Sequence, residues 1–497
     1  MMIYLILLFA ILFFLLAWRR LDWAVMFLIA ALPAYLIRFD ILGLPATLLE
    51  VMIWTVFLVW FFKNYKIIFE RVKLRVTSYG LRAVIRYPFD WEIVLMLLVA
   101  LVAAGVAGFS ASSFGIWKAY FFEPALFFIV ALNVMHGAKG REKILWSLAI
   151  SALAVSALAI YQKFTGALID NPVWAAIETR RVVSFFGYPN AIGLYLGPIV
   201  LVMIGWLTSV IARSQVLLAT WQSLVRFRVC EIASLPSVAR NDKLKAIFVS
   251  LTIILSVLSI YFAKSKGALM GVAAGLIVFG LLAGKKIRWA AVAVALVAAV
   301  VIAAYQPARN SAVRNLTLTN LSGQIRKAGW TDAWNMLKDG RIITGAGLAN
   351  FQQAVAPYHQ PGLFFNKDND PDFRRKIVLF NNEYKKKFWQ PLEIYLYPHN
   401  IVLNFWSELG LAGMLLFVWV ILKYFWMGIS ALSLRGSASD RSNLTNEKFL
   451  IIGFIGAMVV IVVHGLVDVP YFKNDLAVMF WLLLAMMSLI KLESVNK

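Results

Sequence analysis

Cysteine is nearly missing from this chain of 497 residues, where Cys230 stands alone. That excludes a disulfide within the chain and any zinc site built on paired cysteines. Histidine is scarce at four, and charged residues make up only 15%, against about a quarter in soluble domains. Acidic residues are outnumbered by basic ones, 25 to 48, for a formal net charge of +23. No internal repeat is visible. The remainder is apolar: 62% of residues are hydrophobic and the mean hydropathy is +0.78.

The apolar residues fall in long runs from one end of the chain to the other, the pattern of a polytopic membrane protein. A span must satisfy its own backbone hydrogen bonds in lipid, and these runs are too long and too continuous for barrel strands, which leaves α-helices. Spans are expected near 2–18, 22–37, 43–62, 91–109, 116–135, 144–162, 186–212, 246–263, 267–283, 289–305, 398–423, 449–469 and 475–491. The total is about 12–13, the first pair and the 246–283 region setting the difference. The fold class is thus all-α, a transmembrane helical bundle. It divides into N-terminal helices (1–305), a long loop (306–397) and C-terminal helices (398–497). The first run, Met1 to Trp18, ends at Arg19-Arg20. It lacks a basic leader and a small-residue cleavage site, so it reads as a retained span.

Basic linkers set the expected orientation. Lys63, Lys66, Arg71, Lys73, Arg75, Arg82 and Arg86 lie in one; Arg213, Arg226, Arg228, Arg240, Lys243 and Lys245 in another. Shorter basic turns occur at 139–143 and 285–288. With thirteen spans all four fall on one side, the cytoplasmic one, and 306–397 falls outside. Basic loops account for the net charge without nucleic-acid binding.

The outer loop is itself basic, with thirteen Lys/Arg against seven Asp/Glu. Two readings stand: a solubilising surface, or a cationic funnel for an anionic substrate. Ile325, Trp330, Ala333, Trp334 and Leu337 form one stripe of an amphipathic helix. Gly340 stops that helix, and "ITGAGLANF" reads as a glycine turn into a second short helix. No βαβ unit surrounds it, so it is not a dinucleotide site. The stretch 361–390 is expected to be the most mobile.

Ionisable groups inside spans are costly, roughly 2.5–3.5 kcal/mol on insertion scales, and call for explanation. They include Lys118 and Glu123, Lys264 and Lys266 at a break between spans, Glu408, His464 and Asp468. Arg180 and Arg181 precede the seventh span, and His399 opens the eleventh. Most of these gather on the outer side, which suggests a phosphate-bearing ligand. Each also has a plainer reading. The arginines could snorkel to headgroups, Lys118 could pair with Glu123, Glu408 with a lysine, and His464 with Asp468. His399 could be interfacial, with Asn400 capping the helix.

"YPHNIVLNFWSELGLAGMLLF" resembles the O-antigen ligase and polymerase family, membrane glycosyltransferases that use undecaprenyl-diphosphate-linked glycans. The matching residues are His399, Asn400, Glu408, Gly410 and Gly413. "RVVSFFGYPNAIGLYL" is similar to the family's arginine followed by Pro-Asn, here Arg181, Pro189 and Asn190. Arg326, Trp330, Gly345, Gly347 and Phe351 match its loop helix and glycine turn, and His464 and Asp468 its late element. Lys266 stands where the family often has arginine, which keeps the charge but loses the bidentate fork. The resemblance spans roughly 175–490.

The resemblance implies a multi-helical fold with an extracytoplasmic helical lid, similar to other lipid-dependent glycosyltransferases (GT-C-like), in the cytoplasmic (inner) membrane. It implies no metal and no nucleotide cofactor, because the donor arrives activated as a lipid diphosphate. Arg181 and Arg326, with Lys266 and Lys264, would stabilise the leaving phosphate. His399 would be the base, a residue type that changes charge near neutrality. Asn190, Asn400 and Glu408 would help hold substrate or orient His399. The acceptor stays open among lipid A core, a growing polysaccharide and a protein side chain. A secondary transporter or lipid flippase is the rival class, since intramembrane charges fit that too.

Overall fold

A computed structural model describes residues 2–41, 44–79, 87–225, 235–379, 382–435 and 441–495. Arg82, Arg86, Arg226, Arg228 and Cys230 lie outside them, as do the side chains of Arg71, Lys73, Arg75 and Arg240.

Every expected span contains helix, and among the described residues ten helices are long and apolar enough to cross a membrane. The protein is an all-α helical bundle, apart from two small antiparallel strand pairs. Three spans depart from simple rods. The second is helical only over Leu21–Ala30; Pro33 then sits in the tight 3₁₀ turn Leu32–Leu36. Ten residues of helix reach only about 15 Å, half of a bilayer core. The chain continues into a hairpin, Arg38–Ile41 against Leu44–Thr47.

The fifth span runs as Ala111–Trp117, a wide π turn at Lys118–Phe122, and Glu123–Val134. Pro124 causes the widening. It has no N–H to give the carbonyl of Tyr120, four residues back. That carbonyl instead accepts from the Tyr471 hydroxyl at 2.8 Å.

The eleventh span, Ile401–Arg435, breaks at Gly410, whose φ of 72° is a left-handed value that favours glycine. The break leaves the Ser407 carbonyl and the Leu411 N–H without each other. The outer loop supplies both substitutes: Ala346 N–H donates to Ser407 O at 2.6 Å, and Leu411 N–H donates to Ile343 O at 3.0 Å. The turn carrying Gly345 and Gly347 thereby plugs into the membrane helices, and Leu348 N–H reaches Ala103 O at 3.2 Å.

The loop 306–397 is folded. Gln306–Leu316 and Leu321–Met336 are helices; of the expected stripe Ala333 and Leu337 are buried while Trp334 is exposed, and Gly340 turns the chain with φ 77°. The stretch 361–390, expected to be mobile, carries Phe373–Val378, Asn382–Phe388 and a strand pair, Gly362–Phe364 with Trp389–Pro391.

The core lies where Pro189–Val225, Arg441–Gly465 and Lys266–Ala283 pack together, while Lys285–Ala304 has no buried residues. Small residues let the backbones approach, since packing rather than hydrophobicity drives helix association in lipid. A Cβ on Gly205 would lie 2.8 Å from the Gly453 Cα. At one end of the bundle Arg141 bridges Glu447 and Glu493, and Lys245 pairs with Glu142, so several basic linkers do meet.

Gly453→Val forces these two backbones apart. Overpacking of this kind costs on the order of 1–3 kcal/mol, so the purified variant should melt at a lower temperature than wild type. An unchanged Tm would show that the helices do not touch at Gly205.

Candidate functional site

At the opposite end of the bundle, four elements from distant parts of the sequence meet. The segment before Pro189–Val225 brings Arg181, and that helix brings Asn190. The corner before Lys266–Ala283 brings Lys264 and Lys266. The outer-loop helix Leu321–Met336 brings Arg326. These residues, with His464, line a cavity of about 430 Å³. It has four cationic side chains and no carboxylate in its lining among the described residues.

Each cation is held by neutral acceptors, which leaves its charge uncancelled. Arg181 donates to Ala263 O at 3.0 Å and to Asn190 Oδ1 at 3.3 Å. Arg326 donates to Val467 O and to Ser322 Oγ, both at 2.7 Å. Lys266 donates to Asn315 Oδ1 at 3.1 Å, and Lys264 to Thr179 O at 3.5 Å. Burial pulls the Arg181 guanidinium below its ordinary value, the expected direction for a charge leaving water. Lys264 takes a left-handed φ of 53°, which turns the corner between the two helices. Gly267 is required beside it: a Cβ there would lie 2.6 Å from the His464 ring.

Arg326 also lines a narrow adjoining cleft with His399 and Tyr395. His399 has a left-handed φ of 49°, and its ring meets the Tyr395 ring edge-on at 5.0 Å. Its Nδ1 faces Asp468 Oδ1 at 3.6 Å. The other Asp468 oxygen accepts from Asn190 Nδ2 at 3.1 Å, and Val469 N–H donates to Oδ1 at 2.9 Å. Burial works against ionisation of Asp468. The contact with His399 and the nearby His464 outweigh it, and the carboxyl is held below the usual range. Hydrogen bonds therefore join Arg181, Asn190 and Asp468, and the His399 imidazole faces the end of that line at 3.6 Å without a hydrogen bond at Nδ1.

Other expected residues lie elsewhere. Arg180 donates to the carbonyls of Lys163 and Ala175 and so closes the end of Gly137–Thr165; it is not in the cavity lining. Asn400 caps its helix, accepting from Leu403 N–H at 3.0 Å, and ties it to Leu466 O at 3.1 Å. The Asn404 side chain is fully buried with no hydrogen-bond partner among protein atoms, and nothing in the structure explains it.

Glu408 is buried away from both the cavity and the cleft. It pairs with no lysine; it accepts from Ala349 N–H at 2.8 Å, in the glycine turn plugged at the broken helix. Lys118 pairs with Glu50 at 2.7 Å and not with Glu123, whose Oε1 accepts from Trp54 Nε1 at 2.9 Å. No bond joins His464 to Asp468; Asp468 instead accepts from Asn190 and faces His399 Nδ1 at 3.6 Å.

Sequence reading passed over Glu50, Glu92 and Lys473, all near helix ends and unremarkable as letters. The outer loop also carries the Asp-x-Asp spacing at Asp368, Asp370 and Asp372, against the expectation that it holds no such metal motif. There Asp370 meets Lys376 and Tyr384, each at 2.6 Å, and the Lys376 and Tyr384 hydrogen bonds hold its carboxyl down at about 2. Among the described residues no group of three such side chains is placed to hold a metal ion.

Residues 251–418 match the protein-family model described as O-Antigen ligase. No curated protein matches the chain. The matched stretch is similar to an O-antigen ligase domain, and the ten long apolar helices point to an integral membrane protein. The stretch contains Lys264, Lys266, Arg326, His399, Asn400 and Glu408. Arg181, Asn190 and Asp468 lie outside it and join the site through the contacts above.

Glu408→Ala leaves the Ala349 N–H unpaired, at a cost on the order of 1–3 kcal/mol. The outer loop of that variant should be cut faster by trypsin than that of wild type, and Glu408→Gln, which keeps an acceptor, should resist. Equal cleavage of all three would detach Glu408 from the loop.

Proposed function

We propose that this domain moves a glycan from an undecaprenyl-diphosphate carrier to an acceptor hydroxyl, at the extracytoplasmic end of a cytoplasmic-membrane protein. The observation that carries the reading is the cavity with four cations and no carboxylate beside a His399–Asp468 pair. A diphosphate is the ligand that such a lining favours, with arginine able to grip two oxygens at once.

In the transfer step the acceptor oxygen forms a bond to the anomeric carbon of the lipid-linked sugar, and the bond from that carbon to the diphosphate oxygen breaks. The electron pair leaves with the diphosphate. Arg181, Arg326 and Lys266 face the oxygens where that charge grows, and such groups are worth most in a water-poor site. The acceptor proton goes to Nε2 of His399. Asp468 faces Nδ1 and orients the ring for this role, the arrangement found wherever a carboxylate positions a catalytic imidazole. The reading assigns charge stabilisation to guanidinium and ammonium groups.

A transporter would place such groups near mid-bilayer with access from both faces. Here they lie beneath the outer loop at one end of the bundle, which supports transfer over transport. Ligation and polymerisation share this chemistry; a ligase-type transfer is the form proposed.

Protein reconstituted in nanodiscs and given a lipid-diphosphate glycan should transfer it to an added acceptor. His399→Ala should lose about 10²–10⁴-fold in turnover, the range for a positioned base. Wild-type turnover in that variant, with intact folding, would remove His399 from the chemistry. Arg181→Lys keeps the charge and loses the fork; a loss of about tenfold or more is expected, and full activity would leave Arg181 a point charge only.

A further inference from the structure

A second cavity, of about 440 Å³, lies on the N-terminal side of the site. Its walls come from the strand pair Arg38–Ile41 and Leu44–Thr47, the start of Leu48–Tyr79, the π turn at Lys118–Phe122 and Asn474, just after the 466–473 segment that carries Asp468. Tyr120 lines this cavity and Tyr397 lines the His399 cleft. Both rings pack on Phe472, at 6.0 and 5.8 Å, and the Tyr397 hydroxyl donates to Phe472 O at 3.1 Å. A wall of two side chains thus divides the second cavity from the cleft that holds His399.

The two cavities differ in charge. The first has four cations and no carboxylate. The second balances Arg38 and Lys118 against Asp40 and Glu50. Glu50 is buried and fully engaged, with one oxygen on Lys118 Nζ at 2.7 Å and the other on Asn474 Nδ2 at 3.1 Å. Lys118 remains about one-third exposed at the cavity wall. Its place there follows from the π turn that Pro124 imposes, a kind of distortion common at functional sites. The lining among the described residues carries both donors and acceptors, and its formal charges balance. That suits a ligand whose groups both donate and accept, as sugar hydroxyls do, and disfavours a diphosphate.

We propose that this second cavity binds a neutral sugar of the glycan acceptor, with the acceptor passing over Tyr397 to present its hydroxyl to His399. The inference rests on the transferase reading and adds to it a separate seat for the second substrate. Binding remote sugars there would hold the reacting hydroxyl in place, so loss of the seat weakens acceptor use and leaves the donor untouched.

Asp40 and Arg38 are both exposed, so Asp40→Ala and Arg38→Ala should fold. In the nanodisc assay each should raise the acceptor KM about tenfold, the loss typical of a charge-assisted hydrogen bond, with the donor KM unchanged. Arg181→Ala should show the reverse, a raised donor KM. An unchanged acceptor KM in both Asp40→Ala and Arg38→Ala, or a shift in donor KM instead, overturns the proposal. A wild-type protein with no transfer from any lipid diphosphate would count against the transferase reading alone. Saturation-transfer NMR then decides the sugar site by itself, with maltotriose and chitotriose as probes. Signals seen with wild type and Arg181→Ala but lost in Asp40→Ala support it. No signal with wild type, or signals that survive in Asp40→Ala, overturn it.

Discussion

The hydrogen bonds that Ile401–Arg435 surrenders at Gly410 are made again with the outer loop, and the arrangement of the site depends on that exchange. An unpaired carbonyl and N–H in an apolar interior would cost several kcal/mol. Ala346 and Ile343 remove the penalty, and Glu408 adds a third bond through Ala349 N–H. The loop is therefore no free appendage. Its glycine turn can enter only because Gly345 and Gly410 carry no side chains: a Cβ on Gly345 would lie 2.6 Å from Ser407 O. Once that turn is seated, the preceding helix Leu321–Met336 lies across the end of the bundle. Arg326 then reaches the 466–473 segment through Val467 O.

The buried Asp468 does the complementary work from the other side. Its two oxygens serve different partners, Asn190 for one and the backbone and His399 for the other. A carboxylate held ionised at low exposure needs such partners. Here they come from helices separated by hundreds of residues. The result is a polar line through the apolar bundle, with cations at one end and an imidazole facing the other. The balanced second cavity lies beyond Tyr120 and Tyr397. An anion and a polyhydroxylated chain would thus meet different electrostatics on approaching the same imidazole.

Much of this was legible in the letters. Long apolar runs demanded membrane helices because lipid offers the backbone no partners, and helix appears in every expected run. The stripe of Trp330, Ala333 and Leu337 marked the loop helix, and the "HN" pair marked a capped helix start. What misled were local inferences about partners. Lys118 and Glu123 lie in one expected span and invite pairing, yet Lys118 meets Glu50, 68 positions earlier. Arg180 and Arg181 are neighbours with equal claims, and only one reaches the cavity. Glu408 carried the mark of a site residue because a carboxylate in a span is costly. Its partner is a backbone N–H that no pattern of side chains announces.

The chain's composition and periodicity were enough to establish a helical membrane bundle and the surplus of positive charge along certain segments. These follow from burial and from backbone hydrogen bonding, which act on each stretch separately. Tertiary packing alone decided which cations share a cavity, that Asp468 joins Asn190 to His399, and that a second, charge-balanced cavity stands beside them. Such contacts depend on how helices far apart in sequence are rotated and inserted against one another, and a pattern with a period of 3.6 residues carries no record of that.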